Sequence, residues 1–100
     1  MRSRIMYIED KSQSLNGPAR IGRVTFSKTG RTFRYQGREH VSIGGRGFKA
    51  NFLEVESGRH FWISGPRRDG KDRLYGQSTQ PVEIDEDVRD EYWRIIRGPR

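Results

Sequence analysis

The chain contains no cysteine, which excludes disulfides, thiolate metal sites and a cysteine nucleophile. A small domain without disulfides fits a reducing compartment, and the cytoplasm is the expected location. Histidine is scarce as well, with His40 and His60 the only two. No spacing joins them to a third ligand, so neither a metal centre nor histidine-based acid–base chemistry is expected. Long apolar runs are missing: Ile5 to Ile8 is far too short for a secretion signal or a membrane span, and no membrane partner is expected. Aliphatic content is low, with Leu, Ile, Val and Phe together making 21 of the 100 residues. That sits just above the composition of disordered chains and limits the protein to one domain, residues 1–100, with a modest core.

What the chain has in excess is positive charge, +7 overall, unevenly placed. Residues 1–80 hold 16 basic and 7 acidic side chains, whereas residues 81–100 hold 4 basic and 6 acidic. Arginine supplies 16 of the 20 cations, and its planar fork suits phosphate and carboxylate better than an ammonium does. A field of this sign favours polyanions, nucleic acid first and an acidic protein second.

The apolar residues fall in short alternating runs bounded by glycine turns, the pattern of β-hairpins. Met6 to Ile8 reads as a short first strand, and Glu9 to Ala19 as a polar loop. Ile21 to Phe26 and Thr32 to Gln36 form a hairpin turning at Gly30. Pairing Phe26 with Phe33 sets Val24 opposite Tyr35 and puts four apolar side chains on one face, with Arg23, Thr25, Arg34 and Gln36 on the other. A slip of one residue scrambles both faces. After a reversal at Gln36-Gly37-Arg38, Glu39 to Ile43 is a strand that Gly44 to Gly47 breaks. Phe48 to Glu56 and Arg59 to Ser64 form a second hairpin through a three-residue loop, Glu56-Ser57-Gly58. This register sets Leu53, Val55, Phe61 and Ile63 on one face, and Phe52 and Trp62 with Glu54 and His60 on the other. The loop Gly65 to Asp72 leads to a short strand near Leu74-Tyr75.

The last segment changes character. Asp85 stands where it can cap a helix from Glu86 to about Arg97, with Gly98-Pro99 ending it. Acids fill its first turns and Arg94 and Arg97 its last, which complements the helix dipole. Val88, Tyr92, Ile95 and Ile96 make one apolar stripe that must dock. The expected fold is therefore mainly β: a small SH3-like barrel or strongly bent antiparallel sheet with one C-terminal α-helix.

Five stretches together resemble a family of short bacterial proteins of unassigned function. They are Gly17 to Arg31 (GPARIGRVTFSKTGR), Gly45 to Asn51 (GRGFKAN), Phe61 to Pro66 (FWISGP), Asp69 to Tyr75 (DGKDRLY) and Pro81 to Val88 (PVEIDEDV). The resemblance runs from about Met6 to the end and leaves residues 1–5 as an extension. Some members carry the name 1-deoxyxylulose-5-phosphate synthase, but a domain of this size cannot hold thiamine diphosphate and two substrates. The resemblance implies a bacterial origin and supplies no catalytic residue.

Gly65 to Asp72 (GPRRDGKD) matches the G-x4-G-K spacing of a phosphate loop, yet Asp72 stands where a hydroxyl should hold magnesium, and no helix follows. A charged hairpin tip carrying Arg67, Arg68 and Lys71 is the simpler account. The acids Glu83, Asp85, Glu86 and Asp87 are explained by helix capping rather than by a cation site. The strongest constellation is Arg20, Arg23, Lys28, Arg31, Arg34, Arg38, Arg46 and Lys49, eight cations in 30 residues that contain one acid, Glu39. Phe52 and Trp62 either add a stacking platform to it, as single-stranded nucleic acid uses, or lie under the C-terminal helix. The expectation is a binding module without catalytic residues or cofactor, meeting DNA or RNA with low specificity through phosphate contacts, or else an acidic protein.

Overall fold

A computed structural model describes residues 2–12, 17–43, 50–70, 72 and 82–98. They form strands β1 (Arg2–Asp10), β2 (Ala19–Phe26), β3 (Thr32–Tyr35), β4 (Arg38–Ser42), β5 (Phe52–Glu54), β6 (His60–Ser64) and β7 (Val82–Ile84). Each of the first five pairs antiparallel with the next, and β6 returns to β1, closing a six-stranded barrel of small SH3-like type. Closure removes the unpaired edges that an open sheet would expose. The extra strand, β7, runs parallel to β2 over Ala19 to Ile21, on the edge that β3 meets only at Thr25 and Phe26. The breaker Gly44–Gly47 and the strand at Leu74-Tyr75 lie outside the described residues.

Strand β1 is longer than its Met6–Ile8 centre. Arg2 to Ile5 continue it, pairing with Phe26 to Arg23 of β2, so these residues belong to the barrel wall. It is also buried on both faces, which is why its centre reads as a continuous apolar run rather than an alternation. Met6 and Ile8 point inward to a cluster with Val24, Phe33, Tyr35 and Ile63. Ile5 and Tyr7 point outward to a second cluster with Ala19, Ile21, Val88 and Tyr92, where the C-terminal helix sits. On that outer side Glu9 and Lys11 are fully buried and paired at 2.8 Å, with the Tyr7 hydroxyl donating to Glu9 at 2.5 Å. Gly17 N also donates to Glu9 at 3.0 Å, so the pair is enclosed with its carboxylate satisfied, and breaking such a buried pair costs about 3–5 kcal/mol.

The first hairpin has the expected register, Phe26 opposite Phe33 and Thr25 opposite Arg34, and Val24, Phe26, Phe33 and Tyr35 share the interior. The second hairpin is slipped by one residue. Phe52 faces Phe61 and Leu53 faces His60, because the loop spans Val55 to Gly58, closed by hydrogen bonds from Glu54 N to Arg59 O and from Gly58 N to Glu54 O. Gly58, at φ 75°, supplies the left-handed residue in a four-residue loop rather than a three-residue one. Even for odd parity flips every side chain downstream. Phe52 therefore packs inside with Phe61 and Ile63, and Trp62 packs outside against the cluster under the helix. Leu53 and Val55 do not share the Phe61–Ile63 face, and Val55 is 54% exposed. The slip turns Glu54 inward, where it accepts hydrogen bonds from Ser57 and Arg38.

The C-terminal helix opens as a 3-10 turn (Glu86–Val88), holds one α turn (Arg89–Glu91) and widens into a π-helix (Tyr92–Arg97) that Gly98 closes by donating to Trp93 O. The widening undoes part of the expected stripe. At roughly 80° per residue instead of 100°, Ile96 stays near Tyr92 while Ile95 rotates away. Val88 and Tyr92 are buried and Ile96 is partly covered, but Ile95 is 62% exposed.

His40 lies in the barrel interior, stacked on Phe33 at 4.4 Å and meeting Phe61 edge-on at 5.0 Å. Neither ring nitrogen has a hydrogen-bond partner among the described residues. Burial lowers its pKa, partly offset by the Glu54 carboxylate 3.8 Å away and by the Arg38 backbone, while the Arg38 charge adds a smaller push in the direction of burial. The unfolded chain then binds more protons than the native one once pH falls below about 6.5. Stability is expected to drop as pH falls from 7.5 to 5.5, and His40→Phe, which keeps the stack, is expected to flatten that dependence. Denaturant titrations of both proteins at the two pH values check this; equal slopes would contradict it.

Candidate nucleic-acid interface

Strand direction sorts the cations between the two ends of the barrel. One end carries the β1–β2 loop, the Gln36-Gly37 turn, the Val55–Gly58 loop and the start of β7. There, each arginine named from the sequence has a carboxylate partner. Arg20 meets Asp85 at 2.7 Å and Glu83 at 3.5 Å, and Arg38 meets Glu54 at 3.4 Å and Glu56 at 3.5 Å. Arg59, at the same end, meets Asp10 at 3.0 Å. On the outer wall Arg23 is bound by Glu91 of the helix at 2.6 Å.

The opposite end carries the start of β1, the turn from Ser27 to Arg31, and the ends of β4 and β6. Lys28 and Arg31 are exposed in that turn, and Arg34 is exposed on β3 just behind it. Arg2, exposed and paired in register with Phe26, begins β1 at this same end, and Arg4 follows it. None of these five has an acid partner among the described residues, although Arg34 has Glu39 as its cross-strand neighbour. The turn is firmly built: Ser27 N donates to Thr32 O, Gly30 N to Ser27 O, and Ser42 N of β4 to Arg31 O. Beside the cations runs a row of hydroxyls, Ser3 and Thr25, 3.1 Å apart, next to Arg34 in register. Arg2 and Arg4 stand outside the dense run of cations from Arg20 to Lys49, and only the pairing of β1 with β2 brings them to this end. Arg46, Lys49 and Lys71 lie outside the described residues.

Phe52 and Trp62 do not form a platform, since they lie on opposite faces of the sheet. Trp62 lies with the helix cluster, as one of the two expectations had it, and Phe52 is in the barrel. In the Gly65–Asp72 loop, Arg67 pairs with Asp69 at 2.9 Å and Arg68 is exposed. The Arg67 backbone N–H donates to Asp72 Oδ1 at 2.5 Å, so a buried carboxylate of the chain itself takes the amide that a phosphate loop would offer to phosphate. Burial pushes the Asp72 carboxyl up from its ordinary value.

Asp85 does not cap the helix with its side chain. Its backbone N–H donates to Ile21 O and its carbonyl accepts from Val88 N, while its carboxylate accepts from Arg20 Nε at 2.7 Å and from the Tyr35 hydroxyl at 2.5 Å. Burial first, and then the adjacent carboxylate, raise the Tyr35 pKa far above its ordinary value, so the phenol stays a donor. The pair lies over Gly22: a Cβ there would be 2.5 Å from Tyr35 Cε1 and 2.5 Å from Asp85 Oδ2. A cleft of about 430 Å³ opens beside it, lined by Arg20, Arg23, Tyr35, Gln36, Asp85, Glu86 and Asp87. Its two guanidinium groups are already bound by carboxylates, which makes it a poor phosphate site. Gln36 takes a left-handed conformation at φ 52° beside Gly37 at φ 77°, the geometry of a tight I′ hairpin turn.

No family model matches the chain, and no match was found among curated proteins or solved structures. No helix among the described residues is long and apolar enough to cross a membrane.

Tyr35→Phe strands a buried carboxylate oxygen and is expected to lower the unfolding free energy by about 1–3 kcal/mol. Gly22→Ala forces the same pair apart, at a cost of about 1–3 kcal/mol. Because both act on one interaction, the double variant is expected to be destabilised by less than the sum. Urea denaturation of the four proteins measures this, and strict additivity would contradict the geometry.

Proposed function

We propose that this protein is a small basic binding module, not an enzyme, that holds nucleic acid by its phosphates with little base readout. The observation that carries the proposal is the cluster of cations without an acid partner among the described residues at one end of the barrel: Arg2, Lys28, Arg31 and Arg34, with Arg4 close by. Cations without an acid partner keep their full attraction for phosphate and displace condensed counterions when they bind. Those already matched to carboxylates, Arg20, Arg23 and Arg38, would first have to give up their partners. The hydroxyls of Ser3 and Thr25 offer further phosphate contacts beside Arg34. With Phe52 inside the barrel and Trp62 under the helix, neither supplies a stacking surface, which favours backbone contacts over base contacts.

An acidic protein meeting the same cluster is the second reading, supported by the same free cations; the affinity for nucleic acid itself separates the two. Fluorescence anisotropy with a labelled DNA duplex and a labelled single strand, from ~50 to ~200 mM salt, is expected to give affinity that falls steeply with salt. Lys28→Gln with Arg31→Gln is expected to reduce the logarithmic salt slope on the duplex by about 0.9 for each phosphate that is no longer neutralised, whereas Arg38→Gln leaves it unchanged. Absence of binding at ~50 mM salt would rule out the nucleic-acid reading, and an equal effect of Arg38→Gln would move the site to the other end.

A further inference from the structure

A second surface is left open by the C-terminal helix. Where its last turns pass over β1 and the residues after β6 lies a groove of about 320 Å³. Ile5, Pro66, Ile95 and Ile96 line it, with Arg4 and Glu91 as its charged members. These two charges are not equivalent. Glu91 is held by Arg23 at 2.6 Å, whereas Arg4 is exposed and has no acid partner among the described residues. The groove thus combines apolar walls with a cation that no described carboxylate compensates.

The adjoining helix surface is apolar as well. Among the described residues the exposed large hydrophobics are Ile95 (62%), Val55 (54%) and Trp93 (48%), and two of them stand on this helix end. Trp93 is braced, with Tyr92 edge-on at 5.2 Å and the Arg97 guanidinium over its ring at 4.9 Å. The π-helix is what turns Ile95 outward, away from the core that holds Tyr92 and Ile96.

We propose that this groove docks a segment of a partner protein that presents a bulky apolar side chain next to a carboxylate. The apolar group enters between Ile5, Pro66, Ile95 and Ile96, and the carboxylate pairs with Arg4. Charge complementarity selects an acidic rather than a basic segment. Ile95, 62% exposed, carries the apolar surface past the groove and gives a protein segment more to cover than a small free carboxylate would. Arg4 borders both surfaces, but Lys28 and Arg31 take no part in this one and Ile95 none in the other, so Arg31→Gln and Ile95→Asp tell the two readings apart.

The test uses the full ¹⁵N-labelled chain and an acetylated octapeptide containing leucine, phenylalanine and two aspartates. Two controls replace the aspartates by lysines, or the leucine and phenylalanine by alanines. The expected result is amide shifts at Ile5, Gly65, Ile95 and Ile96, and an affinity lowered at least about tenfold by Arg4→Glu or Ile95→Asp. Both substitutions change exposed side chains, so circular dichroism should stay native, and Arg31→Gln should leave peptide binding unaltered. Equal binding of the lysine peptide, shifts confined to Ser27 to Arg34, or no shift at ~1 mM peptide would overturn the proposal. So would binding of octanoate at the groove with none of the peptide.

Discussion

The carboxylate of Asp85 is the contact on which the arrangement of this small barrel depends. It joins Arg20 of β2 and Tyr35 of β3 to the residue that links β7 to the helix. Beside it, the backbone of Asp85 extends the β2–β7 pairing through Ile21 and starts the first helical turn. A buried carboxylate tolerates this position only when its lone pairs are satisfied, and a phenol held protonated together with a guanidinium do so. Gly22 leaves room for the contact. With the helix start held there, its apolar side falls on Ile5, Tyr7, Ala19 and Ile21. That covers the outer face of β1, which would otherwise expose an apolar stripe.

The same carboxylate shapes the charge map. Asp85, Glu54, Glu56, Asp10 and Glu91 engage Arg20, Arg38, Arg59 and Arg23, and these partners gather at one end of the barrel and along the wall under the helix. A half-exposed pair such as Arg23–Glu91 adds little to stability, typically about 0–1 kcal/mol. The effect on binding is greater, because a cation already matched to a carboxylate attracts phosphate weakly. Among the described residues, cations without an acid partner therefore gather on the end that begins with Arg2 and turns at Lys28 and Arg31. Net charge made a polyanion the favoured partner, and local pairing narrows the surface that would meet it.

The first hairpin was legible because Val24, Phe26, Phe33 and Tyr35 alternate with polar residues in both strands, so one register alone keeps the faces intact. The second was displaced by one residue because Gly58 serves an odd or an even loop equally well. Nothing in the local pattern announces that Glu54 turns inward to Ser57 and Arg38. The extension of β1 through Arg2, Ser3 and Arg4 is polar and gave no apolar signal; its pairing with Phe26, Thr25 and Val24 is a long-range fact. Asp85 looked like a cap because capping is local, whereas its partners stand 50 and 65 residues away in the chain. The π-helix has no signature in the stripe Val88, Tyr92, Ile95, Ile96, which a regular helix would bury whole. For the site, residue type and density identified the cations, but which of them remain free depends on acids brought from elsewhere by the fold.

The central claim is that free cations, not all cations, define the binding surface. Mapping backbone amide shifts of the ¹⁵N-labelled chain during titration with a short DNA duplex at low salt tests it most directly. The account predicts that the largest shifts fall on Arg2 to Arg4 and on Ser27 to Arg34, with Arg20, Arg38 and Asp85 undisturbed. Shifts centred on Arg20, Arg38 and the cleft beside Asp85 would contradict it.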